Sequence, residues 1–220
     1  MPKGFTENEK TLIREQLLSE GYKQFSAYGL RKTTIGGLAR AVNISTGAFY
    51  QFYESKEALL MDVIELAEQR FRQEMLAVLD RPGPSPRARL YAVFKSAFDL
   101  LKTTPILQFF SGSDYDLLFR RVPPDKLREH LDSDKLFFRD LFVRCIDAGI
   151  PISVQPEEAV ALMYPLVLAV MHAEDFGQTE IDSGVDRLLE LLAAYFLGEV
   201  ELQLQEGCSA VFDANQGNHA

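Results

Sequence analysis

The chain has 220 residues, 47% of them apolar, and a net charge of −9. That is ample for a buried core in one or two domains. The longest uncharged apolar stretch, 159–173, has 15 residues and falls short of the roughly 20 a membrane helix needs. Cys145 and Cys208 match neither a disulfide framework nor a zinc spacing, and no signal-peptide pattern is visible. The expectation is therefore a cytoplasmic protein with reduced thiols.

Thr6 followed by Glu9 forms a capping box and opens a helix to about Tyr28, stopped by Gly29. Ile13, Leu17, Gly21 and Phe25 share one face of it, and Gly21 marks close packing against a neighbour. Thr34 caps a second helix whose buried face is Leu38, Ala39 and Val42. Asn43 suits a left-handed helix end, and Ser45 caps a stub from Thr46 to about Phe52 anchored by Phe49. Ser55 caps the next helix, with Glu57 in its first turn. That helix runs to about Leu79 and ends at Asp80-Arg81-Pro82-Gly83-Pro84.

Ser85 and Pro86 start another helix, to about Lys102. Two short pieces follow, one bounded by Pro105 and Gly112 and one from Asp114 to Arg121. A long helix is then predicted over 124–148, closed by Gly149. A further helix spans 156–172 and is apolar nearly all round, with Pro165 placed to kink it. The last opens at Asp182 or Ser183 and reaches about Gln205, before a tail rich in Gly, Asn and Gln. The fold class is all-α.

Helix, tight turn and helix between Thr34 and Phe52 is the geometry that lays a second helix in the DNA major groove. The string A-x-x-V-x-I-S-T-G-A-F-Y-x-F-Y-x-S-K-E-A-L, Ala39 to Leu59, closely resembles the N-terminal domain of tetracycline-repressor (TetR-like) regulators. The resemblance is specific over residues 6–60 and architectural beyond them. It implies a homodimeric repressor with a three-helix helix-turn-helix domain, 1–57, and a larger helical domain, 58–206, that binds a small effector and dimerises. Residues 207–220 form the tail. The charge divides accordingly, +2 over 1–57 and −11 over 58–220, which puts the phosphate-attracting field at one end.

By resemblance, Thr46, Gly47, Ala48 and Gln51 take groove-facing positions. Gln51 suits adenine, and Ala48 with the Thr46 methyl suits a thymine methyl. Ser45 caps this stub at the same surface. Tyr50 and Lys56 fall where the family contacts phosphates, and Thr33 and Thr34 join them through hydroxyl and helix N-terminus. A packed aromatic is the alternative for Tyr50, and a solvated lysine for Lys56. Gly36-Gly37 departs from relatives that read a base early in the first reading helix, and Phe52 suits core better than contact.

Residues 85–200 hold ten of the sixteen phenylalanines. Phe94 and Phe98 share a helix face, as do Phe138 and Phe142. With Phe109, Phe110, Met163 and Val167 they are the candidate walls of an effector pocket, although each suits a hydrophobic core as well. Leu188, Leu189, Leu192 and Phe196 form a broad stripe on the last helix. It serves either a dimer across a two-fold axis or an intrachain core. His172, Glu174 and Asp175 offer too few donors for a metal, and no cofactor is implied.

The expected function is a ligand-responsive repressor released from a palindromic double-stranded DNA operator by a small apolar or aromatic effector. An enzyme using the aromatic cavity is the rival reading. The chain has no G-x-S-x-G, H-E-x-x-H, P-loop or G-x-G-x-x-G motif and three histidines, which argues against it. An architectural DNA-binding protein without an effector is the third.

Overall fold

A computed structural model of the chain describes residues 5–107, 118, 120–171 and 178–200, and every described element is helical. Helix α1 is Glu7–Lys32, α2 Ile35–Ala41, α3 Thr46–Phe49, α4 Lys56–Leu79 and α5 Pro86–Thr103. After them come α6 (Pro124–Asp147), α7 (Pro156–Met171) and α8 (Gln178–Phe196). Phe109, Phe110, Phe119, His172, Glu174, Asp175, Cys208 and the tail 207–220 lie outside the described residues.

The N-termini follow the local chemistry of the sequence. The capping box forms in both directions: the Glu9 N–H donates to Thr6 Oγ1 at 3.3 Å, and the Thr6 N–H donates to Glu9 Oε2 at 2.7 Å. That donor holds the Glu9 carboxyl below its usual range. Thr34, Ser45, Ser55 and Ser85 each accept from the N–H three residues on, all at 3.1 Å. Each satisfies one donor that a helix start leaves without an intrahelical partner.

The C-termini differ from expectation in two places. Gly29 leaves the helical region (φ 73°, ψ 177°), yet α1 resumes for one more turn to Lys32. The last helix stops at Phe196, not near Gln205. Gly198 adopts φ 70°, and the Glu199 N–H reaches back to the Ala194 carbonyl at 3.0 Å. This is the left-handed glycine stop, and the run of apolar and acidic residues past it masks it in the sequence. Gly149 closes α6 the same way at φ 79°, with the Ile150 N–H on the Cys145 carbonyl at 2.8 Å.

Two hydrophobic cores result. The first joins Leu17, Phe25, Leu38, Phe49, Leu59 and Ile64, and takes in Ile106, Leu107, Leu118 and Val122. The second joins Met75, Leu79, Leu90, Phe94, Phe98, Phe142, Cys145, Leu189 and Phe196. The packing therefore divides inside α4, between Ala67 and Met75, well past residue 57. Helix α4 belongs to both cores.

Two cationic side chains tie helices together. The Arg89 guanidinium donates to the Ala148 carbonyl at 2.7 Å and the Leu79 carbonyl at 3.0 Å, so it caps α4 and α6 at once. Arg72 on α4 donates to Ser133 Oγ on α6 at 3.0 Å and lies over the Phe137 ring. Glu68, one turn before it, faces buried His130 at 3.4 Å.

Candidate nucleic-acid interface

Helices α2 and α3 are held against α1 and α4 by residues that face inward. Leu38 and Phe49 are fully buried, with Ala39 and Val42 beside them. Asn43 takes φ 59°, the one non-glycine residue at positive φ among those described, and the Ile44 N–H then reaches the Ala39 carbonyl at 3.0 Å. This turn sets α3 across α2. A Cβ placed on Gly36 would sit 3.8 Å from Thr46 Oγ1, so the two reading helices meet at their N-terminal ends.

Everything the turn leaves outward is small or polar. Ser45, Thr46, Gly47, Tyr50 and Gln51 are exposed and Ala48 is half-exposed. They make one continuous surface at the start of α3, where recognition helices meet base edges. Tyr50 is 56% exposed, its ring edge-on to buried Phe49 with centroids 5.8 Å apart. Phe52 is buried against Phe5 at 5.8 Å, which puts it in the core. The regular α3 ends at Phe49, and residues 50–52 continue as turn.

Two expected contacts face the protein instead. Thr33 is 1% exposed, and its hydroxyl donates to the Gly29 carbonyl at 2.8 Å and the Gln24 carbonyl at 3.2 Å. A buried hydroxyl already spent on backbone cannot reach a phosphate, and the exposed Thr34 beside it is the group at the surface. Half-buried Lys56 donates to the Leu30 carbonyl at 2.6 Å and the Thr33 carbonyl at 2.7 Å. Two of its three donors are therefore committed within the chain. Nothing in the local sequence signals the Lys56 role, because its acceptors are main-chain carbonyls 23 and 26 residues away.

The aromatic walls expected for an effector pocket are mostly core. Phe94, Phe98, Phe142 and Met163 are buried in the second cluster, with Phe138 and Val167 packed against it. Phe196 fills the space between Phe94 and Phe142, edge-on to each with centroids 5.4 and 6.1 Å apart. Their aromatic edges interlock here. A cavity of about 580 Å³ opens elsewhere, where α1, α4 and the end of α5 meet. Leu18, Tyr22, Leu66, Phe71 and Leu100 line it, with Lys23 and Arg70 among its polar groups.

The stripe on α8 splits in two. Leu189 and Phe196 are fully buried within the chain, so they cannot meet a second subunit directly. Leu192 is half-buried, while Leu188 and Leu191 stand exposed alongside Tyr164 and Leu168 of α7. The inward half exists because α8 packs on α5 and α7 of its own chain.

The two-core helical fold presents a capped, exposed helix-turn-helix at one end, the geometry that DNA-binding domains use. Residues 17–63 match the model of bacterial regulatory proteins of the tetR family. That match covers the end of α1, both reading helices and the start of α4. It is similar to the HTH-type transcriptional regulator BetI of Burkholderia thailandensis, 27% identical over 137 residues, which cover 58% of this chain and 65% of that one. The match thus spans just under two thirds of that relative. In fold it resembles a putative TetR-family regulator from Mesorhizobium loti, at TM-score 0.61 and 15% identity over 87% of this chain and 98% of that one. It also resembles the regulator FadR of Bacillus subtilis solved with stearoyl-CoA, at TM-score 0.59 and 16% identity over 82% and 97%. No helix among the described residues is long and apolar enough to cross a membrane.

Proposed function

We propose that this chain is a transcriptional regulator of the tetR family, a homodimeric repressor whose α3 reads a palindromic operator and which a small amphipathic molecule releases. The observation that carries it is the exposed surface of Ser45, Thr46, Gly47, Tyr50 and Gln51, backed by fully buried Phe49. Gln51, Ala48 and the Thr46 methyl read bases, and Gly47 lets the backbone approach. Tyr50, Thr34 and the start of α2 hold phosphates.

The exposed faces of α7 and α8, with Tyr164, Leu168, Leu188 and Leu191, supply the self-complementary surface of a two-fold dimer. Two reading heads must then meet major grooves about 34–36 Å apart, or a multiple of it. The cavity between α1, α4 and α5 is the effector site. Its volume falls within the range typical of ligand pockets, and α1 on one wall belongs to the reading head. An occupant there alters how α4 sits under α1, and the Arg72–Ser133 bond passes the change between α4 and α6.

The test begins with selection of duplexes from a random library by the purified chain. Stearoyl-CoA, which the FadR neighbour was solved with, is the first effector probe. It should bind the DNA-free protein 5- to 150-fold more tightly than the operator complex, a coupling of about 1–3 kcal/mol. Equal affinities for an acyl-chain probe that does bind leave a constitutive DNA binder.

A further inference from the structure

Lys56 is the first residue of α4, and its ammonium lies on the far end of α1. A helix leaves its last carbonyls without intrahelical donors, and a lysine supplies them well. Here the lysine comes from another helix, and it collects Leu30 and Thr33 together at 2.6 and 2.7 Å. Thr33 is itself pinned, its hydroxyl on the Gln24 and Gly29 carbonyls and its N–H on the Gly29 carbonyl at 3.3 Å. Gly29 makes this possible. Its φ of 73° breaks α1, and beyond the break the Leu30 and Thr33 carbonyls come within reach of Lys56 at the start of α4. Directly after Thr33, Thr34 caps α2.

We infer that Lys56 is a positioning residue: with Gly29 and Thr33 it forms an internal latch that fixes the angle of the α2–α3 reading unit against α4. The latch sits where the head meets the helix shared by both cores, so it sets the direction in which α3 points from each subunit. A phosphate contact and a latch predict different losses when the ammonium is removed. A contact adds affinity for every duplex and steepens the salt dependence by about 0.9 per phosphate neutralised. A latch leaves non-specific attraction alone and affects only duplexes that require α3 at one angle.

This inference rests on the DNA-binding reading above. The test uses the full chain, an operator selected from a random library, and a scrambled duplex of equal length. Lys56→Met removes the donors while keeping the apolar stem, and Thr33→Val removes the buried hydroxyl, which touches no solvent. Both variants, once shown folded by circular dichroism, should lose at least about tenfold in the ratio of operator to scrambled affinity. Their salt slope on the scrambled duplex should match wild type. A Lys56→Met protein with an intact ratio and a slope shallower by about one contact makes Lys56 a phosphate ligand and overturns the latch. So does a Thr33→Val protein with the wild-type ratio, which also decides the matter if Lys56→Met does not fold. A wild-type chain that enriches no duplex at all overturns the DNA-binding reading, and the latch falls with it.

Discussion

Gly21 of α1 lies directly against Val63 of α4: a Cβ built on that glycine would stand 3.2 Å from Val63 Cγ2 and 3.3 Å from Leu59 Cδ2. The absence of a side chain is what lets the two helices approach. Gly21 is costly within a helix, by about 1 kcal/mol relative to alanine, and this contact offsets the cost. Val63 is β-branched and stiff, so it yields poorly to an intruding group. Gly21→Val should overpack the seam and destabilise the chain by about 1–3 kcal/mol. Urea denaturation followed by circular dichroism measures it, and an unchanged midpoint would show that α1 and α4 part without cost.

Gln51 and Tyr50 adjoin each other on the exposed surface but should fail differently. Gln51→Ala should remove discrimination at one base-pair position, worth about 1–3 kcal/mol, and leave the salt dependence alone. Tyr50→Phe should weaken every duplex by a similar small factor, since it removes one hydroxyl from a phosphate. Competition titrations against single-position operator variants separate the two. Equal loss on every variant for Gln51→Ala would remove its base-reading role.

Neighbouring leucines on α8 should also diverge. Leu191 is 59% exposed, so Leu191→Glu should leave a folded chain that runs at the 24.8 kDa monomer mass. Leu189 is fully buried among the chain's own helices, and Leu189→Glu should unfold it by placing an unpaired charge in the core. Analytical ultracentrifugation with a thermal melt reads both. A Leu191→Glu protein still at twice the chain mass would place the dimer surface elsewhere.

Arg89 caps two helices with one guanidinium, and Arg89→Met removes both bonds while retaining most of the stem. Each charged hydrogen bond is worth about 1.5–3 kcal/mol, and the carbonyls of Leu79 and Ala148 would be left without these donors. The melting temperature should drop by several degrees at least. An unaltered melt would mean that water replaces the guanidinium fully.

Cys145 is fully buried, and desolvation pushes its thiol up to about 11. The thiolate is the reactive form, so below that pH the thiol stays protonated and inert. In a Cys208→Ser background, a thiol-reactive chromophore at pH 8 should label the native protein only at its unfolding rate and the denatured chain at once. Rapid labelling of folded protein would show that this core opens readily.

Much of this protein is written in short stretches of its sequence. Thr34, Ser45, Ser55 and Ser85 cap helices because a hydroxyl finds its acceptor role three residues away, and Asn43 turns the chain because its own backbone tolerates the left-handed region. These are interactions within four residues, so the all-α class, the reading unit and its exposed face follow without the rest of the chain. What the tertiary structure decided involves partners distant in sequence. Whether Phe94 walls a pocket or fills a core depended on Phe196, 102 residues on, entering the same space. Whether Leu189 or Leu191 faces outward depended on the angle at which α8 settles on α5 and α7. Lys56 looked like a surface cation until the carbonyls of Leu30 and Thr33 came within reach of it. Periodicity tells which residues share a face but not what that face meets, because the same apolar stripe is buried equally well by its own chain or by another.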